Sequence, residues 1–420
     1  MLRLKEGTRL IQTFNDRKNN TYTLMNIFLK FECTINSKAA KIIKQIYKLN
    51  NIKAEQNLIK KYDDFINSLK DVGILEDNIK LEEKYNTYLL EKHQKFPLSC
   101  LNVELTNGCN LRCIHCYGMF GNTKKDIQFI DKNKLINLIP SLNILNCKSV
   151  AFTGGESTLH PDFIEIVEIF IKNGFEISIF TNGFSSKKII QLVEKYPDFP
   201  FILKISIDGY QDVHDKIRGR DGSYQNVIHL LDFLSTKNNV DTYLSNTIMK
   251  CNIDEVDEFE NFIKSKYPKF NFSKNLIFPL GNGCNQSFTV NDFNSIYQKC
   301  PSLFSVKENQ EKQFRCSGGI SQCTIVPNGR LKICNGACDD RFFFKLNAFK
   351  DGLIKTWYNC GENVKFYRKE KNKSTQKCKS CKLKNNCLMT DCRILSLAYL
   401  GDEKKNSPFT CFASTVNQKK

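Results

Sequence analysis

What this sequence lacks narrows it first. No stretch of about 18 consecutive apolar residues occurs, so no membrane-spanning helix is expected. Met1 to Gly7 read MLRLKEG, with no apolar core of a secretory signal, which sets the expectation of a cytoplasmic protein. There is no sequence repeat and no low-complexity tract. Nor is the chain disordered, collagen-like or a disulfide miniprotein: 41% of its 420 residues are hydrophobic and 25% charged, ordinary for a globular protein with a real core. At roughly 100–200 residues per domain, that length suggests two or three domains.

Two counts run high. Lys and Arg number 62 against 44 Asp and Glu, a net charge of +18. The lysines are scattered, often beside Asn and Ile, and read as a solvated basic surface. A groove for an acidic peptide or nucleic acid is the alternative. Cysteines number 19. In a chain with no export signal, so many are more often metal ligands or catalytic thiols than disulfides.

Three regions differ in pattern. In residues 1–95, short strand-like runs at Thr8–Phe14, Tyr22–Asn26 and Ile27–Phe31 flank a polar turn, Asn15–Asn20. Ser37 fits an N-cap for a helix with Ala40, Ile43, Ile46 and Tyr47 on one face. A second helix places Leu58, Tyr62, Phe65, Ile66 and Leu69 together and ends at Gly73. This predicts a small winged-helix-like α+β unit, followed by a charged linker, Glu82–Lys95.

Residues 98–290 alternate. Strands are expected at Leu101–Thr106, Ser149–Thr153, Phe175–Thr181, Phe201–Ile207 and Asp241–Ile248. Helices are expected at Lys132–Leu142, Asp162–Lys172, Lys187–Lys195, Tyr224–Ser235 and Glu255–Lys266. Repeated strand–helix units imply a parallel sheet, whose active groups gather at the C-terminal strand ends. Residues 300–420 are cysteine-rich with few long apolar runs, a composition that suggests folding around metal.

Cys109, Cys113 and Cys116 form CxxxCxxC within ELTNGCNLRCIHCYG. Three thiolates supply three ligands to a four-iron cube and leave one iron open to a small molecule. A zinc site or buried structural cysteines are the other readings; three ligands are too few for a closed zinc site. One strand later comes Thr153-Gly154-Gly155-Glu156, then Thr181-Asn182-Gly183, Ser206-Ile207-Asp208-Gly209 and Arg218-Gly219-Arg220.

This set resembles the radical SAM superfamily. The resemblance implies a partial (β/α)6 barrel over residues 98–290. It also implies a [4Fe–4S] cluster on Cys109, Cys113 and Cys116, and S-adenosylmethionine (SAM) chelated to the open iron and cleaved to a 5′-deoxyadenosyl radical. Tyr117 and His115 take the family's aromatic positions. Gly154, Gly155 and Glu156 match its GGE motif, where glycines let backbone approach the SAM amino group. By the same resemblance Asn182, Ser206 and Asp208 border SAM. Arg218 or Arg220 pairs with its carboxylate; a surface salt bridge is the alternative for either arginine.

The C-terminal spacing, Cys316-x12-Gly329-x4-Cys334 and then Cys378-x2-Cys381-x5-Cys387-x4-Cys392 and Cys411, resembles the SPASM domain. That family implies two auxiliary [4Fe–4S] clusters. The first would take Cys316, Cys334 and Cys392, with Cys323 as a fourth ligand; the second, Cys378, Cys381, Cys387 and Cys411. The family's last spacing is three residues where this chain has four, and Cys338 and Cys360 lie nearby as substitutes. A zinc ribbon is the alternative. Cys33, Cys100, Cys147, Cys251, Cys284 and Cys300 read as small core residues, with Cys284 also placed to face a barrel mouth.

Residues 1–95 resemble the PqqD-like peptide-recognition element, which binds a leader peptide as an added strand. A DNA-binding winged helix has a similar pattern, but the second helix carries Asp63, Asp64 and Asp71. Together the resemblances imply an oxidoreductase that matures a ribosomally made precursor peptide, leader plus core, by a cysteine-to-carbon thioether as in sactipeptides. They also imply an electron donor such as flavodoxin or ferredoxin, and neither nucleic acid nor membrane as partner. Carbon–carbon or ether crosslinking, epimerisation, sulfatase maturation and a non-catalytic iron–sulfur or zinc regulator are the alternatives.

Overall fold

The computed structural model describes residues 2–5, 8–12, 22–26, 29–49, 52–77, 88–89, 96–122, 127–304, 316–370, 381–382 and 392–416. The expected turn at 15–20, Cys378 and Cys387, and all but Tyr88 and Leu89 of the expected linker lie outside these residues.

The N-terminal unit is built from β1 (Leu2–Leu4), β2 (Thr8–Gln12), β3 (Tyr22–Asn26), β4 (Phe31–Ile35), α1 (Ser37–Tyr47), α2 (Ile52–Asp71), β5 (Leu75–Asp77) and β6 (Tyr88–Leu89). Its main sheet runs β4-β3-β2-β6, while β1 and β5 form a separate antiparallel pair. The third strand therefore starts four residues later than expected, at Phe31. Lys30 adopts a positive φ of 51° and turns the chain just before it. Asn36, not Ser37, caps α1, its side chain accepting from Ala39 N at 2.9 Å. Gly73, at φ +75°, closes α2 by donating to Lys70 O, and Ile74 donates back to Leu69 O. Leu10, Leu24, Ile43, Ile46, Ile66 and Ile74 fill the core between sheet and helices.

Six parallel strands follow in sequential order: β7 (Cys100–Glu104), β8 (Ser149–Thr153), β9 (Glu176–Thr181), β10 (Phe201–Ser206), β11 (Val240–Ile248) and β12 (Asn271–Leu276). They match the five expected strands to within two residues at either end. The sixth, β12, reads NFSKNL, a polar sequence with no strong alternation to announce it. The connecting helices are α3 (Lys132–Ile136), α4 (Ile139–Ile144), α5 (Phe163–Lys172), α6 (Lys187–Lys195), α7 (Gln211–Arg218), α8 (Ser223–Ser235) and α9 (Val256–Lys266). The single helix expected at 132–142 is two, because Pro140 sits at the start of α4 and restarts the helical ladder.

The sheet does not stop there. β13 (Gln322–Ile325) pairs parallel with β7, and β14 (Arg330–Lys332) and β15 (Phe343–Asn347) extend it antiparallel, giving nine strands. Cys323, Ile325, Leu331, Phe344 and Trp357 share one core with Leu101, Val103 and Phe152. Trp357 Nε1 donates to Phe96 O at 2.7 Å, fastening the C-terminal segment to the start of the barrel. A second core joins Phe293, Ile296 and Phe304 to Phe409 and Phe412 near the C-terminus.

The N-terminal unit docks through one side chain above all. Arg9, on β2, is fully buried. It donates to Cys147 O at 2.5 Å, Asn143 Oδ1 at 3.2 Å and Lys148 O at 3.2 Å, and lies over the Phe175 ring at 4.7 Å. Glu32 of β4 pairs with Lys148 at 2.8 Å. Residues 147–148 immediately precede β8, so this unit sits at the N-terminal ends of the parallel strands. No helix among the described residues is long and apolar enough to cross a membrane.

Candidate functional site

At the other end of the strands, the chain leaves β7 and enters the Cys109–Tyr117 loop. Three separate elements grip the chain between Thr106 and Tyr117 by its backbone. From the end of β8, Gly155 N donates to Thr106 O at 2.8 Å and Glu156 N to Gly108 O at 2.9 Å. A Cβ on Gly154 would stand 2.3 Å from Thr106 O, and one on Gly155 2.1 Å from Gly108 O; only glycine permits this approach. From α7, Arg112 N donates to Arg218 O and Ile114 N to Ile217 O. From the turn after β12, Asn282 N donates to Cys116 O at 3.0 Å and its side chain to Cys113 O at 3.1 Å. Gly281 lies so close that a Cβ would be 2.4 Å from Tyr117 O. Sequence reading found the first grip through GGE and missed the other two. The run Gly281-Asn282-Gly283 was the signal for the third.

Cys109, Cys113 and Cys116 lie within electrostatic reach of one another. Burial pushes the Cys109 thiol up to about 12 and raises Cys113, which the Arg218 guanidinium pulls back. Asn182, ending β9, reaches Cys109 Sγ at 3.7 Å and Asn110 Oδ1 at 2.8 Å. Glu156 accepts from Asn182 N, Thr181 Oγ1, Thr158 N and Thr158 Oγ1, so its side chain ties the ends of β8 and β9 together. Burial nevertheless raises its carboxyl above the usual range. Ser206 stands half-buried at the end of β10, beside these strand ends. An open cleft of about 350 Å³ lies against Cys109, Leu111, Phe120, Gly121 and Arg220.

Below the loop lies a buried charge network. Asp208 is 1% exposed and binds Arg218 Nη2 at 2.7 Å, His115 Nε2 at 3.2 Å and Thr247 N at 2.9 Å. Burial alone would raise its carboxyl, but Arg218 and His115 outweigh that and hold it well below the usual carboxylate range. Arg218 also points Nη1 at Cys113 Sγ, 3.7 Å away. Its Nε is buried with no hydrogen-bond partner among the described residues. Arg220 instead lies exposed, donating to Asn110 O at 2.8 Å and stacked over Phe184 at 4.0 Å. His214 accepts from Asp208 N through Nδ1; burial, then Arg218, lowers it to about 4.

Three soft thiols, a glycine cradle and an orphaned buried Arg218 donor fit an iron–sulfur cluster with a small anionic ligand beside it. Among the described residues, no three His, Cys, Asp or Glu side chains form a group that holds a single metal ion.

The C-terminal cysteines divide. Cys334 has Cys316 and Cys392 as its electrostatic neighbours, and burial, then those two thiols, pushes it up to about 12. Cys323 does not join them. It is fully buried on β13, where strand alternation turns it into the core beside Cys147 and Cys100. Cys360 is buried too, its Sγ accepting from Arg368 at 3.4 Å. Cys338 is exposed, 3.6 Å from Tyr117 O and near Cys116. Tyr117 therefore faces the C-terminal segment: Glu104, Cys338 and Cys334 all lie near its hydroxyl, and burial, then Glu104, raises it well above its usual value. Glu104 and Lys332 form a buried ion pair across the same seam. Cys381 is exposed and Cys411 half-buried on the helix Pro408–Val416. Of the cysteines expected in the core, Cys147 and Cys300 are buried, but Cys251 and Cys284 are exposed, on turns rather than inward-facing strands.

Comparison with known proteins agrees with this geometry. Residues 103–264 match the family model described as Radical SAM superfamily. The sporulation killing factor maturation protein SkfB of Bacillus subtilis is 28% identical over 44% of this chain and 42% of its own length. The antilisterial bacteriocin subtilosin biosynthesis protein AlbA, also of Bacillus subtilis, is 24% identical over 65% and 62%. The mycofactocin maturase MftC of Mycolicibacterium smegmatis is 30% identical over 38% and 40%. The chain thus spans less than two thirds of these relatives. Among solved structures, Streptococcus suis SuiB bound to its precursor peptide SuiA superposes with a TM-score of 0.63 over 98% of this chain and all of that one, at 16% identity. The AdoMet-bound anSMEcpe superposes with a TM-score of 0.61 over 77% and 93%, at 18% identity. Those two likenesses establish the fold.

Proposed function

We propose that this chain, with its radical SAM domain at residues 103–264, is an enzyme that matures a ribosomally made precursor peptide. The observation that carries this reading is the triple backbone grip on the Thr106–Tyr117 stretch beside the buried, unpaired Arg218 Nε. In it, Cys109, Cys113 and Cys116 would hold a [4Fe–4S] cluster, and residues at the ends of β8, β9 and β10 would bind SAM. The bound cluster and SAM together supply a 5′-deoxyadenosyl radical able to abstract hydrogen from an unactivated carbon.

The chain's own residues position and enclose. Gly154 and Gly155 offer backbone to the SAM amino group, while Glu156 holds that turn to Asn182. Arg218 or Arg220 pairs with the SAM carboxylate: Arg218 has a buried Nε with no partner among the described residues but is already held by Asp208, and Arg220 lines the cleft beside Cys109. Cys316, Cys334 and Cys392, which lie together, ligate one auxiliary cluster. Cys378, Cys381, Cys387 and Cys411 ligate a second, by the SPASM resemblance. The N-terminal unit receives a leader peptide on its sheet, and a flavodoxin- or ferredoxin-type protein delivers electrons. The relatives' names, a sporulation killing factor maturation protein and a subtilosin biosynthesis protein, support a peptide substrate. The bond formed is a thioether between a cysteine sulfur and a carbon.

Anaerobic reconstitution tests this. Three clusters correspond to about 12 iron atoms, and replacing Cys109, Cys113 and Cys116 with Ala should remove about four of them with all 5′-deoxyadenosine production. Undiminished production in that variant sinks the reading. Deleting residues 1–95 should spare SAM cleavage and abolish peptide modification. A peptide that loses two hydrogens while every cysteine remains alkylatable rejects the thioether.

A further inference from the structure

Asp208 and Arg218 are more than a buried ion pair. Each is at least nineteen-twentieths enclosed, and three independent elements fix their geometry. Asp208 follows β10 and accepts from the backbone N of Thr247 on β11, while His115 reaches it from within the cysteine loop. The guanidinium so held directs Nη1 at Cys113 Sγ, 3.7 Å away, and acts on Cys109 more weakly. Cys113 thus has a permanent positive charge laid most closely against it, and a permanent negative charge stands directly behind that cation.

We infer that the Asp208–Arg218 pair sets the reduction potential of the cluster carried by Cys109, Cys113 and Cys116, acting through Cys113, with His115 trimming the carboxylate's share. The inference rests on the reading that these cysteines hold a cluster. Reduction adds one negative charge to the cluster. A guanidinium beside a ligand sulfur stabilises the reduced form and raises the potential, and a carboxylate behind it offsets part of that gain. Hydrogen bonding from Nη1 to the sulfur acts in the same direction as the charge. Arg218 and Asp208 are therefore positioning residues with opposite electrostatic signs on one redox centre. A purely structural role for the pair would give both substitutions the same effect, since either one breaks the same contact.

The test is a redox titration followed by electron paramagnetic resonance on full-length reconstituted protein without SAM. The relevant signal is the one missing from the Cys109→Ala/Cys113→Ala/Cys116→Ala variant. Arg218→Gln should move the midpoint to lower potential and Asp208→Asn to higher potential. Arg218→Lys, which keeps the charge, should stay nearer the native value than Arg218→Gln. Shifts of the same sign in Arg218→Gln and Asp208→Asn, or no shift in either at full iron content, overturn the inference. Should either variant fail to take up iron, His115→Leu replaces it: with one donor removed, the carboxylate counts for more and the midpoint should fall. An unmoved midpoint in His115→Leu then overturns the inference as well. If the triple alanine variant retains every iron signal, it is the cluster assignment that fails, and the two failures are distinguished.

Discussion

Replacing Arg9 with Met should uncouple the N-terminal unit from the barrel. The native side chain is fully buried and makes three hydrogen bonds to the 143–148 segment. Met keeps the length and the apolar stem but strands Cys147 O and Asn143 Oδ1. Hydrogen bonds from a charged donor contribute about 1.5–3 kcal/mol each, and each buried neutral acceptor left without its donor costs about 1–3 kcal/mol, or about 3–4 kcal/mol for the two together. At about 1.4 kcal/mol per decade, docking should weaken by roughly two to three orders of magnitude. Glu32→Gln removes a contact between an exposed carboxylate and the half-buried Lys148 and should cost no more than about 1 kcal/mol. Hydrogen exchange resolved to peptides covering residues 8–12 and 143–149 reads the difference. Faster exchange at both sites in Arg9→Met, with the 202–206 region unchanged, is the expected pattern. Exchange within twofold of native at both sites would refute the latch.

Gly281→Ala places a Cβ 2.4 Å from Tyr117 O at a φ of +55°, and should lower iron in the first cluster and SAM cleavage together while the fold survives by circular dichroism. Cys323→Ala should leave total iron unchanged and lower stability by about 1–2 kcal/mol through a core cavity, whereas Cys334→Ala should remove iron. Iron lost from Cys323→Ala would return that residue to the ligand set. His214 titrates near 4 in the folded protein and near 6.5 unfolded. Below pH 6.5 the unfolded state binds the extra proton, so denaturant-measured stability should fall by up to about 3 kcal/mol between pH 6.5 and 4, then level off for this group. His214→Gln should flatten that slope.

The sequence disclosed what repeats and what is punctuated. Five of the six parallel strands were legible because each is an apolar run or, in β11, an alternation of buried and exposed residues; β12 was not, since NFSKNL is half-exposed and polar. The cysteine loop and Gly154–Gly155 were legible because spacing itself carries the chemistry. Sequence distance hid the rest. Nothing near Arg9 announces that its partners lie at 143–148, and nothing near Cys323 says that its strand would join β7 and turn the thiol inward. The different surroundings of Arg218 and Arg220 also needed three dimensions, because their partners, Asp208 and Phe184, come from other strand ends.

The seam between β7 and β13 bears on how the molecule is made. As the chain leaves the ribosome, β7 finds β8 about 50 residues later but must wait some 220 residues for β13. Throughout that interval Cys100–Val103 present an unpaired, apolar strand edge, the kind of surface on which other chains add. A fragment ending near residue 300 would never cover it. The cysteine-rich segment is thus a permanent intramolecular guard on the first strand, and the boundary that composition draws there is not one at which the protein can be cut.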